Sequence, residues 1–205
     1  MCRNVLVVMA GLLAITVYAN ATISNVDIAD DGDGAIHCTA PWQETDPESL
    51  TITGNQIWAP GHMVGTITTS DPNDPNLTIH NYIDNDSGFA WTGYTVNIYL
   101  PVTFTVSNII AYDPNDWSEV LSLEPTYGTW TIDGNSRTAY KATIDYTAGE
   151  PVPPDTGSFE FGYRISFKGA TSYDFCQEMI PTPEPATLSL LALGGLALLR
   201  RKRKA

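Results

Sequence analysis

Hydrophobic positions divide the 205 residues into three regimes. Val5 to Val17 is an apolar run broken only by Gly11 and Thr16, and Ala186 to Leu199 is a second one. Between them, short runs rich in Val, Ile, Thr and aromatic residues alternate apolar with polar at a period of two, as half-buried strands do. Leu50–Thr53, Val64–Thr68, Leu77–Ile79 and Thr95–Leu100 are clear cases. Val102, Phe104 and Val106 share one face, as do Phe159, Phe161, Tyr163, Ile165 and Phe167, and both faces are expected to point into a core.

Turn chemistry separates these runs: Asp30 to Gly34, Asp71 to Asn76, Asp84 to Gly88, Asp113 to Asp116, Asp133-Gly134-Asn135 and Pro151 to Gly157. No window of ten or more residues in this middle region carries a helical period. The pattern predicts an all-β domain of about nine to eleven short strands over residues 22–180, an antiparallel β-sandwich with jelly-roll or immunoglobulin-like topology. A barrel is the alternative.

The two apolar runs are expected to direct the chain rather than to fold with it. Arg3 ahead of the first run and the small-x-small site Ala19-Asn20-Ala21 after it make residues 1–21 a signal peptide cleaved after Ala21. The second run is 14 residues long, so as a helix it extends about 21 Å against a hydrocarbon core of about 30 Å. It is short for a permanent span. Thr182-Pro183-Glu184-Pro185 precedes it and Arg200-Arg201-Lys202-Arg203-Lys204 comes after it. Moving those cations through hydrocarbon is costly, so the basic cluster stays on the cytoplasmic side and the body lies outside.

The order Pro183-Glu184-Pro185, short helix 186–199 with Gly194-Gly195, and basic tail 200–204 resembles the bacterial PEP-CTERM sorting signal, here residues 181–205. The same C-terminal module is also labelled after an ice-binding protein that carries it, which transfers no ice-binding chemistry to the body. The resemblance implies an exosortase as partner, a membrane-embedded cysteine transpeptidase that reads Pro183, Glu184 and Pro185 and removes the helix and the basic tail. It implies transient membrane attachment through the helix, then delivery to the cell surface or extracellular matrix of a Gram-negative-type bacterium, with extracellular polysaccharide as a further partner.

Charge narrows the body's role. Between residues 22 and 180 only Arg137, Lys141, Arg164 and Lys168 offset 22 carboxylates, a balance of −18. Such a surface repels nucleic acid, whose binding needs clustered cations. The acidic loop Asp27, Asp30, Asp31 and Asp33, made flexible by Gly32 and Gly34, is a candidate calcium site. Its spacing is not that of an EF-hand, and a solvated turn is the plainer reading. Trp91 and Tyr94 are candidates for stacking on a glycan, or else core aromatics of the sandwich. His37, His62 and His80 stand in no metal-binding spacing. Cys38 and Cys176 could be joined by a disulfide in an oxidising compartment, or be two buried thiols.

No nucleophile elbow, phosphate-cradling loop or zinc-protease motif occurs. The sequence therefore favours an exported, noncatalytic surface or matrix protein without a cofactor. A glycan- or calcium-binding module is the second reading and a carbohydrate-active enzyme the third.

Overall fold

The computed structural model describes residues 22–43, 49–73, 75–112, 116–132 and 134–184. The predicted signal peptide and the predicted helix 186–199 lie outside these residues. Among the described residues no helix is long and apolar enough to cross a membrane.

The described residues form eleven strands in chain order: β1 (Ile23–Asp30), β2 (Ile36–Gln43), β3 (Ser49–Gln56), β4 (Gly61–Thr69), β5 (Asn76–Asn85), β6 (Trp91–Leu100), β7 (Phe104–Ala111), β8 (Ser118–Ile132), β9 (Asn135–Val152), β10 (Ser158–Phe167) and β11 (Ser172–Pro183). They form a six-stranded sheet ordered β1-β4-β11-β6-β9-β8 and a five-stranded sheet ordered β2-β3-β5-β10-β7. Every pairing is antiparallel except β3 with β5. The body is thus all-β and sandwich-like, as the alternation predicts.

Period-two patterning explains how the sheets meet. Phe159, Phe161, Tyr163, Ile165 and Phe167 of β10 are all buried on one face, as expected. They meet aromatic residues of the other sheet: Tyr94 lies 5.2 Å from Phe159, and Tyr146 lies 5.2 Å from Phe161, between ring centroids. Tilted pairs at this spacing add about 0.5–1.5 kcal/mol each beyond the area they bury. Polar anchors cross the same gap. Tyr163 Oη donates to Gln177 Oε1, and Gln177 Nε2 donates to Asn81 Oδ1 at 2.8 Å, so the Tyr163 hydroxyl and the Gln177 amide are bonded within the core.

The other predicted face is met more loosely. Phe104 is buried, whereas Val106 and Val102 are only partly buried against the core, and β7 begins at Phe104 rather than at Val102. The largest departure from short strands is the β8–β9 hairpin, whose strands have 15 and 18 residues. Register shifts between Leu121 and Leu123 and between Leu123 and Thr126 break its alternation. A bulge moves the side chains beyond it to the opposite face, which removes the period-two signal.

Close packing inside the six-stranded sheet depends on Gly65, paired with Ile28 on one side and Phe175 on the other. A Cβ there would collide with the Asp27 carbonyl oxygen and stand 2.6 Å from Ile28 Cα. Gly65→Ala is accordingly expected to destabilise the body by about 1–3 kcal/mol, measured as a lower denaturant midpoint with an unchanged slope.

Candidate functional site

The functional geometry is organised by β11, which lies between β4 and β6. Alternate residues Tyr173, Phe175, Gln177 and Met179 are buried, the aromatic and methionine side chains in the main core. Cys176 and Glu178 therefore lie on the outer face of the sheet. Register sets Glu178 opposite His62 of β4 and Asn97 of β6, and sets Asn97 opposite Thr143 of β9. A polar row results. Asn97 Nδ2 donates to Glu178 Oε2 at 2.6 Å, Tyr99 Oη donates to the same oxygen at 3.0 Å, and Thr143 Oγ1 donates to Asn97 Oδ1 at 2.7 Å.

His62 joins this row to the β1–β2 loop. Its Nε2 lies 3.5 Å from Glu178 Oε1, and its Nδ1 lies 3.1 Å from Asp31 Oδ2. Burial pulls the Glu178 carboxyl upward, but bonds from His62, Asn97 and Tyr99 outweigh it and hold the group below its ordinary value. Asp31 goes the other way: burial and the Asp33 charge raise it, against the Asp33 amide and His62. Asp31, Asp33 and His62 each offer one ligand atom, all within 4.8 Å of one another.

The candidate calcium set is therefore only partly assembled. Asp30 is engaged by the backbone, its Oδ1 accepting from Gly32 N and its Oδ2 from Cys38 N. Asp27 sits exposed in the middle of β1, opposite Thr66, and is not in the cluster. Instead of these two carboxylates the fold supplies His62. No spacing in the sequence announces that residue, because β1–β4–β11 pairing brings residues 31, 62 and 178 together from three distant segments. Among the other histidines, His80 Nδ1 shares a 3.1 Å hydrogen bond with Tyr112 Oη, and His37 is exposed on β2 opposite Asn55.

Two expectations are corrected. Trp91 and Tyr94 do not form a glycan platform: they are 0% and 1% exposed. Trp91 Nε1 donates to Ser87 Oγ at 2.8 Å, and Tyr94 Oη donates to Gln56 Oε1, so their polar tips are also used inside. Cys38 and Cys176 are not bridged. Cys38 packs against the main core with its Sγ 3.1 Å from Met63 Sδ, while Cys176 sits with Tyr99, Ile132 and Ala139 in a separate cluster on the outer face. The intervening sheet separates their side chains. Beside Cys176 a cavity of about 370 Å³ is also lined by Tyr99, Arg137 and Asp174.

The processing motif begins within the sheet. Pro183 is the last residue of β11, opposite Trp91, and Glu184 N donates to Ala90 O at 3.0 Å. Pro185 lies outside the described residues. Thr22 is at the other end of the body, where its N donates to Ser70 Oγ and its carbonyl accepts from Ser70 N. With about 3.3 Å per residue, the 12-residue β11 separates those ends by roughly 36 Å.

Burial, with the Asp30 charge adding to it, pushes the Cys38 thiol up to about 12, so its reactive thiolate forms only near that pH. Cys38 is expected to resist alkylation at pH 8 in the folded protein. After denaturation without reductant, mass spectrometry should find both Cys38 and Cys176 alkylated.

Comparison with curated proteins and with solved structures found no match. Residues 181–204 match the family model of the PEP-CTERM protein-sorting motif, so the chain carries that sorting signal, beginning inside β11.

Proposed function

We propose that this is an exported, noncatalytic surface or matrix protein that an exosortase releases from a temporary membrane anchor by acting at Pro183, Glu184 and Pro185. The motif match supports export, cell-surface sorting and exosortase processing. The observation that carries the fuller reading is the position of the motif: Pro183 and the Glu184 amide are bonded to β6 and its preceding residue, leaving no linker between body and signal.

In this reading the short helix holds the end of β11 against the membrane while the Thr22 end points away. The body would ride on a strand order in which β4-β11-β6-β9 faces β5-β10-β7, as in a jelly roll, with β1 and the β2–β3 pair added at the edges. Its acidic surface suits a hydrated extracellular matrix, with polysaccharide as the proposed neighbour. The noncatalytic part of the reading rests on the motif-poor sequence.

Intact-mass measurement of surface-released protein tests the proposal. In exosortase-positive cells the chain should begin at Thr22 and end near Pro183 to Pro185. Glu184→Ala should leave a longer, membrane-retained form whose circular dichroism matches the wild type, because Glu184 uses only its backbone in the sheet. A C-terminus at Ala205 in the released wild-type protein would overturn the reading.

A further inference from the structure

We propose that Asp31, Asp33 and His62 form a binding site for a divalent cation of the zinc class, with Glu178 as the residue that positions His62. This inference does not depend on the sorting function.

Strand register creates the geometry. Asp30 ends β1 opposite Met63, so the chain leaves the sheet beside His62, and Asp31 comes within reach of that ring. On the ring's other side Glu178 is fixed by Asn97 and Tyr99, both donating to Oε2. Its remaining oxygen, Oε1, faces His62 Nε2. A neutral imidazole carries one proton. A metal ion bound at Nδ1 requires that proton on Nε2, the side on which Glu178 Oε1 stands.

That arrangement calls for a positive species on the Asp31 side. The Asp31 side chain is 7% exposed, its Oδ2 accepts no hydrogen bond, and it stands 3.1 Å from Nδ1. A nitrogen and a carboxylate oxygen this close and this dry are held together by a positive charge between them, a proton or, in this proposal, the metal ion. Three carboxylates, those of Asp31, Asp33 and Glu178, surround this one ring in a body with few cations. A carboxylate hydrogen-bonded to the far nitrogen of a histidine is the usual support for a metal-ligating imidazole, because it fixes the tautomer and raises ligand basicity.

Ligand chemistry selects the metal class. Tetrahedral zinc with bonds of about 2.05 Å separates its ligand atoms by about 3.3 Å. The Asp31–His62 separation of 3.1 Å already fits, and the remaining ligand atom lies within 4.8 Å. One imidazole nitrogen with two carboxylates suits zinc and its transition-metal neighbours, whereas calcium takes six to eight oxygens. Asp33 is exposed, which gives the ion an entry path from solvent.

The test is calorimetric titration of the exported protein, stripped with chelator, using zinc chloride and calcium chloride separately. One zinc per chain is expected, in preference to calcium. Asp33→Asn, an exposed change that should not disturb folding, and His62→Gln should each weaken zinc binding at least tenfold. Glu178→Gln should weaken it about 10–100-fold while the stoichiometry stays at one. Wild-type protein that melts cooperatively but takes up no zinc would show that a second proton on His62 fills the role, and would overturn the proposal. So would a preference for calcium, zinc affinity unchanged in Asp33→Asn, or binding that is lost with His37→Gln or His80→Gln instead.

Discussion

The register of β11 between β4 and β6 is the constraint on which the rest of this molecule depends. One alternation of side chains sends Phe175, Gln177 and Met179 inward, where they close the core against the second sheet. The same alternation sends Glu178 outward, directly between His62 and Asn97. The strand then ends at Pro183, the first residue of the processing motif. A slip of one residue would exchange the two faces, burying the Glu178 carboxylate in an apolar core. Isolated burial of such a charge is strongly unfavourable, so the polar row also specifies the register.

How far the sequence reveals this structure depends on the range of the interactions involved. The β10 face from Phe159 to Phe167 was legible because its alternation is unbroken and all five residues enter one core. The β8–β9 hairpin was not legible, because its bulges displace the alternation and much of β8 is open to solvent: Val120 is 57% and Tyr127 66% exposed. The end of the chain's body was set at residue 180 by composition, whereas pairing carries β11 on to Pro183. Prolines at 181 and 183 punctuate the sequence but remain compatible with this strand, since Pro181 still keeps its place opposite Tyr94.

The chemical site was half visible for the same reason. An acidic loop with two glycines announces itself locally, and Asp31 and Asp33 do belong to the cluster. The histidine does not announce itself, because its partners lie 31 residues before it and 116 residues after it. Only sheet pairing supplies that proximity. The cysteines show the converse error: Cys38 and Cys176 suit an oxidising compartment, but chain chemistry says nothing about which side of a sheet each thiol occupies. Aromatic residues are similarly ambiguous in sequence. Trp91 and Tyr94 could stack on a sugar or fill a core, and their polar tips, bonded to Ser87 and Gln56, show that the interior has accommodated them completely.

The sorting signal begins inside a central strand, so its first residues belong to the last part of the sheet to be made. Strand β11 pairs with both β4 and β6, and β10 pairs with both β5 and β7, so the last two described strands occupy interior places in their sheets. Neither sheet can close until residues 158–183 are in place. Before that, β4 and β6 in one sheet and β5 and β7 in the other present open edges, which are templates for wrong pairing. Contacts of this range also form slowly, since loop closure must precede the gain from pairing. Once β11 inserts, Pro183 pairs with Trp91 and the Glu184 amide donates to the Ala90 carbonyl, so the first two residues of the motif are joined to the finished sheet. The strand that completes the six-stranded sheet is thus the strand in which the sorting motif begins.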